Sequence, residues 1–357
     1  MPASNREIIQ RAAINTGDFS GGTNAGILAP YQARQFIQQT FEVTNLSPLV
    51  RHEMRVERSG EIDKIGIASR IVREKTENTD DGYRAGVNTS SITFQTTPIR
   101  LPWEITEETL RQNIEGQHLE AVITNLMTSQ LGVDLEDLYL NGDAASASAA
   151  AFDATKAYAV GDYATYSGNL YKFVKAHAAG AWDADDVVYA GAAGDADFLK
   201  VNDGWLKQIK AGGHVLDASG SKYSGAMSLD LFYNAVAQIP NKYNNGRLRW
   251  LMSPRRAQEW ELFLMNKIIN QGGAVPDNVY TAPVKIPVVE CPSLSDDIIM
   301  LTDPKNLIVV NSYNVIIRKT TEGKDAIMLD KRFYVIHLDY DPIIEELDAT
   351  GIITNLG

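Results

Sequence analysis

Two strand-patterned segments separated by a long polar stretch place the tightest limit on how this chain can fold. From Arg51 to Arg73, apolar residues fall at Met54, Val56, Ile62, Ile65, Ile67, Ile71 and Val72, partly with a period of two. The polar stretch EKTENTDDGYRAGVNTSS occupies 74–91. After it Ile92, Phe94 and Thr96 alternate with polar residues ahead of Ile99, Leu101 and Trp103. The pattern predicts strand, polar tip, strand. These strands hold too few apolar residues to build a core, and a lone two-stranded ribbon is only marginally stable in water. The ribbon must lie on something else, and an identical subunit is the nearest candidate.

Helical periodicity is clearest over 104–141. Glu107 and Glu108 supply an acidic first turn. Leu119, Val122, Ile123, Leu126, Met127, Leu131, Leu135 and Leu138 recur mostly three and four apart. The segment stops at LYLNGD (138–143), where Asn141-Gly142 ends a helix well. Unbroken from Gln117 to Leu140, the helix would span roughly 36 Å. Gly116 and Gly132 are places where it could bend.

Before the ribbon, residues 1–30 are polar or small and read as an extended arm. Residues 30–46 follow as a short helix with Phe36, Ile37, Phe41 and Val43 on its apolar side. After 197, helices and strands alternate: an amphipathic piece at 197–212, a helix at 228–243 broken by Pro240, a strand at 247–253, a helix opening at Pro254, a loop at Gly272-Gly273 and a strand at 284–291. Residues 298–357 read mostly as strand, including the run AIMLDKRFYVIHLDYDPIIEEL. The fold class is α+β, and no period of about 20–50 residues marks a repeat protein.

Residues 142–196 differ in composition. Small-residue runs lead in and out, and between them lie strand-like pieces around Tyr163–Tyr166 and Leu170–Val174, joined by the turn signal Ser167-Gly168. This reads as a compact inserted β module of a size that needs outside support. Its aromatics are Tyr158, Tyr163, Tyr166, Tyr171, Phe173 and Trp182. Tyr158-x-x-Gly161-Asp162 and Tyr166-x-Gly168-x-x-Tyr171, followed by Trp182, resemble small carbohydrate-binding modules of the chitin-binding type. That resemblance makes Tyr158, Tyr166, Tyr171 and Trp182 candidate glycan contacts, because an exposed aromatic face can stack on a sugar ring. The plainer reading makes the same rings the core of a very small domain.

The formal net charge of -12 argues against a protein that grips nucleic acid through a basic face, although not against a container for it. One cysteine, Cys291, excludes an internal disulfide and reads as a small buried residue. No apolar run is long enough to cross a membrane, and no signal peptide is evident in the first 25 residues. His52, His118, His177, His214 and His337 are scattered without zinc-site spacing, and no phosphate loop or G-x-S-x-G elbow occurs. Adjacent acids such as Glu107-Glu108, Asp185-Asp186, Asp296-Asp297 and Glu345-Glu346 point in different directions and read as surface. Asp339 and Asp341 share one side of a strand and read as surface or as a contact between subunits. No catalytic residue, cofactor or metal ligand is expected.

The order of parts resembles the major capsid proteins of tailed double-stranded-DNA bacteriophages, with their Hong Kong 97-like fold. The segments that carry the resemblance are the polar start, the ribbon, the helix ending in LYLNGD, RWLMSPRRAQEW (249–260), KIPVVEC (285–291), where Lys285 stands in place of a frequent glycine, and KRFYVIHLDYDPIIEEL (331–347). The resemblance implies an N-arm at 1–30, the start of a P-domain at 31–50, an E-loop at 51–102, a P-domain spine helix at 103–143, the inserted module at 144–196 on the outer surface, an A-domain at 197–330 and P-domain return strands at 331–357. It implies a structural protein, not an enzyme. Hexamers and pentamers would form the icosahedral head around double-stranded DNA, without sequence-specific binding and without a membrane. A separate scaffolding protein, a portal and a decoration protein are the implied partners. Assembly would take place in the host bacterial cytoplasm, and the finished protein would reside in the virion. The alternatives are an encapsulin-like nanocompartment of the same fold and a carbohydrate-binding protein acting through residues 156–189.

Overall fold

The computed structural model describes residues 44–67, 71–72, 74, 82, 84, 86–112, 118–220, 222–270, 282–312 and 316–357. The arm at 1–30, nearly all of the helix at 30–46, most of the polar tip and the loop at 272–273 lie outside the described residues. The first half of the chain supplies β1 (Arg51–Met54), β2 (Ser59–Gly66), β3 (Asn88–Gln95), β4 (Thr97–Thr106), α1 (Glu107–Gln112) and α2 (His118–Asn141). The small-residue region supplies β5 (Ala150–Ala151), β6 (Tyr163–Tyr166), β7 (Asn169–Phe173) and β8 (Val187–Ala192). Then come α3 (Ala196–Leu199), α4 (Trp205–Gly212), β9 (His214–Asp217), α5 (Leu229–Gln238), β10 (Arg249–Met252) and α6 (Pro254–Asn270). The chain continues through β11 (Val288–Glu290), β12 (Ile299–Thr302), β13 (Leu307–Asn311), β14 (Ile316–Thr320), α7 (Lys324–Leu329), β15 (Lys331–Ile344) and β16 (Gly351–Thr354).

Two five-stranded sheets form the body. The first is organised around β15, which pairs with β4 along 331–340, with β14 along 333–337 and with β13 along its last four residues. β1 adds in parallel to β13. The second runs β11-β10-β12-β16-β9. Its strands are apolar on both faces because both are covered. Leu251, Met300 and Ile352 face the large core shared with α2, α4 and the first sheet, where Leu119, Leu138, Trp205 and Tyr340 are buried. Trp250, Met252, Ile299, Leu301 and Ile353 face the opposite way, onto α5 and α6. There Phe232 meets Trp250 and Trp260 edge-on at 4.9 and 4.7 Å between ring centres.

Local sequence explains most boundaries. Ser228 caps α5 by accepting from the Leu231 N–H, and α5 ends before Pro240. α6 opens on Pro254. α2 keeps the expected length and stops at Asn141-Gly142. Gly142 is required by close approach: a β-carbon there would lie 2.5 Å from the Asn202 carbonyl oxygen and 2.6 Å from that of Leu138. Gly204, which donates its N–H to the Gly142 oxygen at 2.7 Å, is equally tight against Leu140.

The structure departs from the sequence reading in four places. Residues 104–106 are the end of β4, not the start of the helix, because Glu104 to Thr106 pair with Phe333 to Lys331. The run Ala326–Leu329 belongs to α7, which Asp330 closes in the left-handed conformation; Ala326 is buried, while Ile327, Met328 and Leu329 find no strand partner and stay exposed. The stretches 51–54 and 97–102 are strands of the first sheet, so the two-stranded ribbon proper is β2 and β3. β13 and β14 sit in the first sheet and β16 in the second, because pairing partners, not chain order, decide sheet membership.

Candidate assembly surfaces

The ribbon pairs Ser59 with Gln95 through to Gly66 with Asn88. Alternation sends Ile62 and Phe94 inward, where they bury against Ile308, Val310 and Ile343 of β13 and β15, with Ile92 partly covered beside them. Polar contacts fix its base. The Gln95 N–H donates to the Asp341 carboxylate at 2.7 Å, and the Thr96 hydroxyl donates to Asp339 at 3.1 Å. Lys64 Nζ donates to the Glu345 carbonyl at 2.5 Å and to Glu346 Oε1 at 2.9 Å. Beyond the base, polar residues such as Glu61, Asp63 and Ser90 are exposed together with several apolar ones on β2 and the segments beside the strands. Ile65 is 75 % exposed and Val56 97 %, and Ile67, Val72 and Val87 also face solvent. The ribbon thus does not stand alone within the chain: its inward residues are seated on the first sheet of the same subunit, and its outer apolar residues are left exposed.

Asp339 and Asp341 share one side of β15, as their spacing indicated, but neither is open surface. Asp339 is buried and accepts from Thr96 and from the Ser312 N–H and hydroxyl, while Asp341 is half-buried beneath the ribbon base. The paired acids Glu107, Asp186 and Asp296 are likewise engaged within the chain, by Arg332, His177 and Arg255 respectively.

A second uncovered region is β14, all five of whose residues are exposed, followed by Ile327, Met328 and Leu329 on α7. Met328 is 77 % exposed. β14 pairs only with β15, so its other backbone edge is unpaired among the described residues.

The four-stranded sheet β5-β6-β7-β8 is built differently. Ser167 and Gly168 take positive φ angles of 51° and 84° and form the tight turn joining β6 to β7. One face buries Tyr163 and Leu170 against Leu199. The other buries Tyr158, Ala164 and Phe173 among Phe152, Trp182 and Val187. Of the four candidate glycan contacts, Tyr158 is only 5 % exposed, stacked between Phe152 at 5.4 Å and Phe173 at 4.5 Å. The structure brings the other three together: Tyr166 stacks on Trp182 at 4.2 Å, and Tyr171 meets Trp182 edge-on at 4.9 Å. Trp182 packs on the small core, whereas Tyr166, stacked on it, and Tyr171, edge-on to it, form a partly exposed rim of the sheet.

Sequence reasoning missed Asp143 as an anchor. Its buried carboxylate accepts from the Tyr163 hydroxyl at 2.8 Å and from Lys172 Nζ, both in the small sheet, and from Lys207 Nζ of α4 at 2.8 Å. It also accepts from the Ala145 N–H at 3.0 Å. Burial pushes this carboxyl up, but the two ammonium groups and the hydroxyl outweigh burial and hold it down at about 2. Beside this junction an open cleft of about 620 Å³ is lined by Asp134, Glu136, Asp137 and Asp195. Glu136 there accepts from the Leu46 and Ser47 N–H groups, both at 3.1 Å. Among the described residues no group of three or more His, Cys, Asp or Glu could hold a metal ion, and no helix is long and apolar enough to cross a membrane.

No family model matches the chain. A curated relative from Bacillus subtilis (strain 168), named as the prophage capsid protein YqbE, is 24 % identical over 375 residues that cover 99 % of each chain. Solved structures align over most of the length. The satellite phage P4 procapsid matches with a TM-score of 0.54 at 14 % identity, covering 88 % of both chains. The capsid of an empty GTA particle matches at 0.53 and 10 % identity, covering 92 % of this chain and 96 % of that one. Gordonia phage Cozz matches at 0.52 and 11 % identity, covering 93 % and 92 %. The chain therefore has the Hong Kong 97-like capsid fold, and the relatives it resembles are structural proteins, not enzymes.

Proposed function

We propose that this chain is the major capsid protein of a tailed phage or prophage, assembling into hexamers and pentamers that close an icosahedral head around double-stranded DNA. The observation that carries the reading is the ribbon and the chain on either side of β2: a subunit with a capsid fold leaves Ile65 of β2, and Val56, Ile67 and Val72 in the segments beside it, uncovered. Laying each ribbon over a neighbour buries those side chains, at about 25 cal/mol per Å2 of apolar area. Closed symmetry repeats that gain at every contact. The exposed edge of β14 and the apolar residues of α7 supply a second surface for the same purpose. The N-arm at 1–30 and the outward placement of residues 144–196 belong to this reading, as do a separate scaffolding protein, a portal, a decoration protein and residence in the virion.

Negative-stain electron microscopy of the chain, expressed alone and with its neighbouring phage genes, tests the proposal. Shells or rings of five and six subunits are the expected result; a monodisperse monomer under both conditions overturns it. Nucleic acid inside closed particles separates a phage head from an encapsulin-like compartment, which would copurify with a protein cargo. Tyr158 is buried and Tyr166 is stacked on Trp182, so the specific observations favour the shell reading and glycan binding is not advanced as a second one.

A further inference from the structure

We propose that the ribbon is fastened to its own subunit by a proton-dependent latch centred on Asp341. The inference concerns the single chain and does not depend on shell formation. Asp341 sits opposite Val310 in the register of β15 and β13, directly below the base of the ribbon. With Ser59, Gly60, Glu61, Thr93, Phe94 and Gln95 it lines an open crevice of about 480 Å³ between ribbon and sheet. The ribbon meets the sheet here through the Gln95 N–H, which donates to the Asp341 carboxylate at 2.7 Å, and through Phe94, buried against Ile308, Val310 and Ile343.

Among the described residues no cation contacts this carboxylate: on the same face, two strands away, β1 brings Arg51 and Glu53, and Arg51 and Arg55 are both paired with Glu53. β2 brings Glu61 to the crevice, and β15 brings Asp339, which is itself acidic and already accepts from Thr96 and Ser312. β3 (NTSSITFQ) and β13 (LIVVN) contain no ionisable residue. Arg58 contributes its carbonyl oxygen, which accepts from Thr96 at 2.7 Å. Lys64 is held at the Glu345 carbonyl and Glu346. Among the described residues the one group that donates to Asp341 is the Gln95 N–H. Burial accordingly pushes the Asp341 carboxyl up to about 6, with the Gln95 N–H pulling it only part of the way back.

The sign follows from linkage. The docked ribbon raises this carboxyl, so docking is favoured by the protonated form. The gain is fully present below about 4, the ordinary carboxylate value, and is lost as pH rises toward 6. Between pH 5 and pH 7 the docking equilibrium shifts by about tenfold toward release. A released two-stranded ribbon frays, because its small apolar face has lost its seat on Ile308, Val310 and Ile343.

Hydrogen exchange read by mass spectrometry tests the latch, with rates corrected for their intrinsic pH dependence. The chain is kept unassembled, as checked by light scattering at both pH values. Amide protection in 59–66 and 88–95 is expected to fall about tenfold from pH 5 to pH 7, while β4 and the centre of β15 hold steady. Asp341→Asn is expected to keep the ribbon protected at both values. Equal protection of the wild-type ribbon at pH 5 and pH 7 overturns the latch, whatever the variant does. The same fall persisting in a folded Asp341→Asn protein overturns it too. Neither result bears on whether the chain builds shells.

Discussion

The ribbon and the small four-stranded sheet are both too small to stand alone, and they meet that problem in opposite ways. The small sheet uses its apolar side chains on itself and on Leu199, and a buried carboxylate with two lysines ties it to the end of α2. The ribbon covers three of its side chains on the first sheet and leaves the rest open. Even their charges differ in sense: Asp143 is held ionised by cations, whereas Asp341 is raised by burial, with no cation in contact among the described residues. Internal saturation marks the small sheet as a fixed part of the subunit. Unsaturated apolar surface is what the proposed assembly would cover on a neighbouring subunit.

Phe173→Ala should break the contrast most severely, removing a fully buried ring from a core of a few side chains. A loss of about 4 kcal/mol is expected, read as unfolding of 150–192 in hydrogen exchange ahead of the two-sheet body. Asp143→Ala strands Lys172, leaves Tyr163 without its acceptor and leaves Lys207 only Asp203 as a partner. It should cost about 3 kcal/mol in urea titration. Acid offers a milder version. Because the Asp143 carboxyl is depressed, its contribution is present above its ordinary value near 4 and is lost as pH falls through about 2, some 2 kcal/mol in all. Stability curves between pH 4 and pH 2 for wild type and Asp143→Asn should converge at the acid end. The smallest change in stability, within about 0.5 kcal/mol, is expected for Ile65→Ser with Ile67→Ser. That same pair should abolish shells in the microscope. A large stability loss, or intact shells, would place the ribbon in the same class as the small sheet.

The sequence announced whichever features depend on near neighbours. Alternation gave the ribbon and its shortage of cover, three-and-four spacing gave α2, and Asn141-Gly142 gave its end. Features that depend on distant partners were hidden. Asp143 meets residues 20, 29 and 64 positions away, and nothing local distinguishes it from a helix-terminal surface acid. Tyr158 looks like an exposed tyrosine of a binding motif until Phe152 and Phe173 close over both its faces. Ala326–Leu329 has the composition of a strand, yet it forms a short helix that Asp330 closes in the left-handed conformation.

The long-range pairing of the first sheet also sets an order in time. The seat beneath Ile62 and Phe94 consists of Ile308, Val310 and Ile343, about 200 residues or more further along the chain, and β1 pairs Arg51 with Ile308 across a comparable gap. Closing loops of that length costs entropy before any contact repays it, so topologies of this kind fold slowly. Throughout that interval the ribbon's apolar residues exist without their support. The nascent chain is then most exposed to aggregation, and a chaperone or a partner that shields residues 59–95 until β13 and β15 have met would raise the yield of folded subunits more than any stabilisation of the finished protein.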